Sequence, residues 1–557
     1  MRLLPGIAFG LVLSTALASP ATAIEPDAPD RLLTRLDAVG IAVEKRLAAP
    51  FRHATSAKKR DHGALVAFYT EHDNELVWVD ENGPTAKARK AIAELKRAGD
   101  YGLDAKDYDL PQLGEDGAET SYDTNQLAEI ELKLSHAALA YARHARGGRI
   151  VPSRLSKYLD PTLELPEPLG AMEKFAQSSD VAATLRDYQP QHPQFETLRQ
   201  KLLETRGSSL KQYAPVPKGP LIRPGQKHPH VALTRKRLEV PVRTPEGASA
   251  ADPELYDSDL EDAVKAFQKR HGLRAEGIIG PATRRAMNAR PKNPVKKILA
   301  NMERWRWVPR EVGELHVRVN IPEFRIRVFE DGKSIHTERV VVGKLKNQTP
   351  IFSDEMERIV FNPYWNIPNS IKVKEILPYL KRDGGGGGFF GGGGTTAQSR
   401  FVQRNNLRIK YRGRPVDPAS VDWSSVDVRR FHFFQPPGGP NVLGDVKFMF
   451  PNKHIVYMHD TPTKRLFNQP VRAYSHGCMR IRNPKRLAEV LLSRDSGWTM
   501  TRINRAIGSG KNWPVNLKTK IPVHMTYFTA WVDENGKMRY ARDIYGHDAR
   551  MIAALKL

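Results

Sequence analysis

Leu315-His316-Val317-Arg318-Val319 and Phe324-Arg325-Ile326-Arg327-Val328 decide the class of the C-terminal half. In both stretches apolar residues alternate with polar or charged ones. That is the period of a strand buried on one face. Asp331-Gly332 between the second stretch and Val340-Val341-Val342-Gly343 is a hairpin signal. A β-rich domain of antiparallel strands is therefore predicted over residues 300–540, with 541–557 as a C-terminal tail.

N-terminal to it the period changes. Leu127, Ile130, Leu134, Ala138 and Tyr141 recur at helical spacing, and Gly147-Gly148 stops that helix. Thr85 to Leu95 is a shorter helix of the same kind. Residues 24–214 read as a helical scaffold for packing and positioning, without a catalytic constellation. Pro215 to Pro229 is a proline-rich linker opening a third unit, 215–292. There Leu260, Ala263, Val264 and Phe267 form one helical face, which Gly272-Leu273 ends. Gly277-Ile278-Ile279-Gly280-Pro281-Ala282-Thr283 turns into a last helix through Met287, and Pro241 to Asp259 is expected to loop. Arg290 to Lys297 is a second linker. The chain is thus read as multidomain α+β.

The β-rich domain carries an insertion at about 366–430. A helical segment runs from Pro368 through Ile376, Leu377 and Leu380. Gly384–Gly388, Phe389-Phe390 and Gly391–Gly394 follow, a tract expected to be mobile because glycine loses most entropy on ordering. A tolerated surface loop and a lid whose phenylalanines touch a ligand are both open readings.

Met1-Arg2, an apolar run from Leu3 to about Ala18, and Ala21-Thr22-Ala23 read as a secretory signal over 1–23, cut after Ala23. The run is short for a span, which needs ~20 apolar residues. With no cysteine after it, a lipid anchor is excluded. The formal charge is +25. Such an excess favours polyanions. For an exported chain those are cell-wall carboxylates or an anionic membrane surface, not nucleic acid.

The chain has one cysteine, Cys478, within Tyr474-Ser475-His476-Gly477-Cys478-Met479-Arg480. It cannot form an internal disulfide, and a lone thiol beside histidines is a candidate nucleophile. The inert alternative is an ordinary buried cysteine. In Ile455-Val456-Tyr457-Met458-His459-Asp460, Tyr457 and His459 share a strand face. Cys478 and Arg480 share another, with Met479 and Ile481 pointing to the core. His459 is the candidate base. Gly477 permits close approach at an oxyanion loop whose donor is the Cys478 amide. His476, next but one before Cys478, is expected to orient the loop or assist proton transfer. His459, His476 and Cys478 lack a closed zinc spacing, so no metal or other cofactor is expected.

Ser475-His476-Gly477-Cys478-Met479-Arg480, preceded by Tyr457-Met458-His459-Asp460, resembles the signature of the L,D-transpeptidases. Phe361-Asn362-Pro363-Tyr364-Trp365-Asn366-Ile367-Pro368, Pro437 to Gly444 and Lys447 to Asn452 match further. Asn301 to Trp307 resembles the lead-in of the large periplasmic members, and 219–289 resembles the three-helix peptidoglycan-binding domain. The resemblance implies a β-sandwich-like catalytic domain with a capping insertion. It implies Cys478 as acylated nucleophile and His459 as base. Tyr457, Ser475 and Arg480 would line the substrate site, Arg480 pairing with a stem-peptide carboxylate or, alternatively, making a surface ion pair. It further implies 3→3 cross-linking of peptidoglycan stems in the periplasm, acylation by carbapenems, and cell-wall synthases as candidate partners. A cell-wall cysteine peptidase or amidase and a non-catalytic wall-binding scaffold are the rival functions.

Overall fold

The computed structural model describes residues 34–50, 54–114, 121–207, 214–243, 250–271, 273–288, 293–381 and 397–557. The signal segment 1–23 and the Gly384–Gly394 tract lie outside the described residues. Among the described residues no helix is long and apolar enough to cross a membrane.

The scaffold is helical, as its period requires. Its longest helix, Thr124–Gly147, opens on a reciprocal cap in which Asp123 accepts from the Gln126 amide and Gln126 accepts from the Asp123 amide. Leu127, Ile130, Leu134, Ala138 and Tyr141 join one core with Val43, Phe68, Leu95 and Phe175 of neighbouring helices. Glu131 is buried within it and accepts from the Val77 and Trp78 amides and the Tyr69 hydroxyl. Burial outweighs those donors and lifts its pKa to about 6.

Helices Pro229–Leu238, Ser258–Arg270 and Pro281–Met287 make the third unit, around Val231, Leu260, Val264, Ile279 and Met287. The expected loop after Pro241 is non-helical where described as far as Asp257. Buried Arg235 pins it, donating to the Pro241 and Leu255 carbonyls and pairing with Asp257 at 2.8 Å.

A helix, Pro294–Trp305, starts inside the second linker, with Asn293 capping it and Pro294 at its first position. Its Ile298, Leu299, Met302 and Trp305 pack with Phe195, Leu198 and Leu202 of the scaffold and with Phe528 and Val532 of the β domain. The segment is a packed joint. Buried Glu303 adds a polar clasp by accepting from the Arg149 and Ile150 amides at 2.6 and 3.1 Å.

The main sheet of the β domain has nine strands among the described residues: β1 (Leu315–Asn320), β2 (Arg325–Glu330), β3 (Lys333–Gly343), β4 (Ser353–Phe361), β5 (Val446–Met449), β6 (Met458–His459), β7 (Ala473–Ser475), β8 (Met479–Ile481) and β9 (Trp513–Thr526). Their order is β7-β3-β8-β6-β5-β4-β9-β1-β2, and β2 pairs back onto β3. The first part of β3 pairs with β2, and Val340 to Gly343 pair with β8 and β7. The sheet therefore closes on itself through one long strand, β3. Val317, Val319, Ile326 and Val328, the apolar half of the alternation, are fully buried. Residues 541–557, expected as a tail, instead form the helix His547–Ala554, whose Met551 and Leu555 enter the domain core.

The insertion between β4 and β5 has its own small sheet, Trp365–Asn366, His432–Gln435, Arg408–Tyr411 and Arg414–Pro415. It also has its own core, including Ile376, Leu380, Trp423 and Phe433. It thus runs a few residues past the expected end at 430.

Candidate active site

Strand register builds the site. Lys447 of β5 is the partner of His459 of β6, and His459 is the partner of Arg480 of β8. Three polar side chains thus stand in one row. The next rung, Phe448, Met458 and Met479, is fully buried and anchors the row from behind. Cys478 immediately precedes β8, and the Met479 amide donates to the Tyr457 carbonyl at 3.1 Å. Cys478 and Tyr457 therefore meet where the two strands begin. Alternation puts the thiol on the face of His459 and Arg480.

Gly477 forms the turn before the thiol with φ +121°, a conformation open to glycine. Its amide donates to Ser475 Oγ at 3.1 Å, Ser475 Oγ donates to the Cys478 carbonyl at 2.6 Å, and Thr349 Oγ1 donates to the Gly477 carbonyl at 2.8 Å. Ser475, expected to line the substrate site, is buried and gives both bonds to its own loop. His476 was expected on the thiol's side if the stretch were extended. The Gly477 turn breaks that extension. The ring points outward, with Nε2 at 3.1 Å from Lys344 Nζ and 2.5 Å from Glu375 Oε1 of the insertion.

The Cys478 sulfur is half-buried. Burial pushes the thiol up. The Tyr457 amide on the sulfur, the Lys447 and Arg480 charges, and the cysteine's own amide pull it down. The Tyr457 hydroxyl also meets the sulfur and the Trp365 side chain, and burial drives that phenol far above its usual range. Lys447 Nζ lies 4.0 Å from the Tyr457 ring centroid, and the His459 ring lies 5.7 Å from it. Among the described residues neither Lys447 nor Arg480 makes an ion pair, and Arg480 Nε is buried without a partner. The ion-pair reading of Arg480 has no counterpart here.

His459 is buried, and its Nδ1 donates to the Asp460 carbonyl. Nε2 therefore carries the lone pair. Burial first, then the Arg480, Lys447 and Lys464 charges, lower the His459 pKa to about 3. The imidazole is neutral, so a resting thiolate–imidazolium pair runs against the local field. Asp460 is fixed in turn, accepting from the Thr461 amide at 2.7 Å, the Asp445 amide at 3.0 Å and Lys464. Among the described residues no cluster of three or more His, Cys, Asp or Glu could hold a metal ion.

Four residues at this site escape sequence reasoning. Lys447 opens the matched stretch Lys447 to Asn452, but nothing in that stretch gives it a role. Trp365 sits in a quoted motif but shows no role there. Thr349 and Tyr545 carry no signal. They are tied to the Gly477 turn only by folding, Thr349 through Gly477 and Tyr545 by donating to the Gly343 carbonyl at 2.6 Å.

Parts of the chain are similar to known proteins. Residues 314–523 match the family model of the L,D-transpeptidase catalytic domain, 247–287 that of the "Putative peptidoglycan binding domain", and 63–202 that of a scaffold domain. A "Putative L,D-transpeptidase" of Haemophilus influenzae is 33% identical over 265 residues, covering 47% of this chain and 50% of that protein. The chain thus spans about half the length of the curated relative it matches. A solved L,D-transpeptidase from Xylanimonas cellulosilytica aligns at 16% identity over 56% of this chain and 99% of its own, with a TM-score of 0.17. A fused Zn-dependent amidase/peptidase/peptidoglycan-binding protein from Clostridium acetobutylicum aligns at 11% over 55% and 100%, with a TM-score of 0.15. At such scores neither structure carries an argument. Residues 314–523 are thus an L,D-transpeptidase catalytic domain, with scaffold and peptidoglycan-binding domain matches beside it in the same chain.

Proposed function

We propose that the chain is a cysteine-dependent L,D-transpeptidase of peptidoglycan stem peptides, acting outside the cytoplasm at the cell wall. One observation carries the reading. The single thiol of the chain stands at a glycine turn, with Lys447 and Arg480 beside it, neither in an ion pair among the described residues, and a neutral histidine on the adjoining strand.

Cys478 Sγ attacks the carbonyl of the third residue of a donor tetrapeptide. An S–C bond forms, the C–N bond to the terminal D-alanine breaks, and the thiol proton passes through His459 Nε2 to the departing amine. The Cys478 amide faces the developing oxyanion, where preorganised donors act most strongly. An amine of a second stem then attacks the thioester, its proton returns through His459, and the thiolate leaves with a 3→3 link formed. Arg480 and Lys447 receive substrate carboxylate, Arg480 through its planar fork. Tyr457 lines the thiol. Gly477, Ser475 and His476 shape and brace the loop, His476 against Lys344 and Glu375.

Purified tetrapeptide muropeptides provide the test. The parent protein is expected to yield dimers, and Cys478→Ala none. Shortened monomers without dimers would turn the reading into a peptidase. An unchanged yield from Cys478→Ala would leave only a wall-binding scaffold. A carbapenem is expected to add one drug mass to the parent protein and nothing to Cys478→Ala.

A further inference from the structure

We propose that Asp160, carried by the scaffold, is a positioning residue for the nucleophile, so that the working catalytic unit includes residues 156–161 as well as the β domain. This rests on the reading of Cys478 as the acylated group.

Two arms lead from this segment to the thiol. In the first, the segment runs beside the loop between β3 and β4 as a strand would. Leu159 bridges Ile351, the Asp160 amide donates to the Ile351 carbonyl at 2.9 Å, and the Ile351 amide donates to the Tyr158 carbonyl at 2.8 Å. Tyr158 Oη donates to the Lys346 carbonyl at 3.3 Å. Leu159 is fully buried within the core of the β domain. The loop so held carries Thr349, whose hydroxyl grips the Gly477 carbonyl.

In the second arm the Asp160 carboxylate leaves the scaffold. It meets Lys453 Nζ at 2.7 Å and His454 Nε2 at 2.8 Å. Those residues form the turn before β6. Asn452 knots that turn, its Oδ1 accepting from the His454 and Val456 amides and its Nδ2 donating to the Phe450 and Val456 carbonyls. Ile455 is held there at φ +55° with 75% of its surface exposed. A β-branched residue adopts that conformation only when its surroundings enforce it. Val456 follows and lies against Gly477, and the carbonyl of Tyr457, the next residue, accepts from the Met479 amide at 3.1 Å, directly after Cys478. One carboxylate thus holds the turn that leads into the strand bonded beside the thiol. The segment that carries it braces the opposite wall.

Because Cys478 is the only cysteine, its alkylation reads the thiol directly. The groups facing it are Lys447 of β5, Tyr457 and His459 of the adjoining strand, and Arg480 of β8. None is altered by a change at Asp160. Iodoacetamide modification of the full chain is followed by intact mass across pH. Asp160→Ala is expected to move the midpoint up by about half a pH unit and to slow modification near neutrality about threefold. Asp160→Glu should restore the parental profile. Tyr158→Phe, which removes one hydroxyl, should shift it the same way by less. With stem-peptide donor, Asp160→Ala should lower kcat and leave KM within about twofold.

A superimposable alkylation profile in Asp160→Ala overturns the proposal, whatever happens to the thermal midpoint. If that variant does not fold, a parental profile in Tyr158→Phe does the same. A shifted profile in a protein that never forms a thioester with stem peptides would uphold the positioning role and sink the transpeptidase reading.

Discussion

The Cys478 thiol lies under opposed influences, and so does its partner. Burial disfavours the thiolate while Lys447, Arg480 and the amides on the sulfur favour it. The same two cations, together with burial, keep His459 neutral. The arrangement therefore suits proton transfer during attack better than a preformed ion pair. Donor acylation should be nearly flat between about pH 5 and 8, because His459, with a pKa near 3, loses its basic form only in strong acid. An acid limb near pH 6.5 would instead mark an imidazolium–thiolate pair and overturn the general-base role. His459→Ala should slow acylation by roughly 10²-fold, the usual scale for a lost base. A rate within a few-fold of the parent would move that role elsewhere.

Among the elements, the end of β3 is the least forgiving. At Gly343 an added Cβ would overlap the Asn347 carbonyl oxygen and stand 2.7 Å from the Thr349 nitrogen. Backbone cannot swing aside as a side chain does, so Gly343→Ala must displace the loop after β3. Thr349 on that loop holds Gly477, so the shift reaches the turn before Cys478. The expected cost is about 1–3 kcal/mol in urea unfolding, the scale of overpacking, together with slower alkylation of Cys478. A variant matching the parent in both would show that the loop has room the geometry denies. This element also marks where sequence stops being legible. The alternation of β1 and β2, the helical face of Thr124–Gly147 and the shared face of Cys478 and Arg480 could all be read, because period and burial are locally linked. Lys447 beside His459 requires the register of two short strands joined by an irregular turn. The outward turn of His476 depends on the φ of one glycine. The docking of Tyr158-Leu159-Asp160 on the β domain leaves no periodic trace, since a three-residue bridge has no period.

Across the whole molecule, buried histidines set the response to acid. Burial lowers His136, His192 and His316 to about 4 and His144, His459 and His547 to about 3. Unfolded, each would titrate near 6.5. The folded form refuses a proton that the unfolded form takes. Stability from these groups is complete above pH 6.5 and declines as pH falls toward 4. Glu131 acts oppositely, its contribution present below its unfolded pKa of about 4.5 and lost as pH rises through 6. Asp61, Glu303 and Asp354 are also raised and act with Glu131, but the six histidines outnumber these four, so the thermal midpoint should fall between pH 7 and 5. Part of this response lies in the joint between scaffold and β domain. His192 Nε2 is 3.0 Å from the Pro309 carbonyl, His316 Nδ1 is 2.8 Å from that of Gly313, and His524 Nε2 is 3.0 Å from that of Val312. Three rings from three elements thus hold one short connection. His316→Asn keeps a donor near Gly313 and removes the titration. It should flatten the pH dependence of β-domain unfolding by about 1.4 kcal/mol per pH unit between pH 4 and 6.5, one proton's worth. A parental slope in that variant, or a midpoint level from pH 7 to 5, would mean that these rings are hydrated and titrate as they do in the unfolded chain.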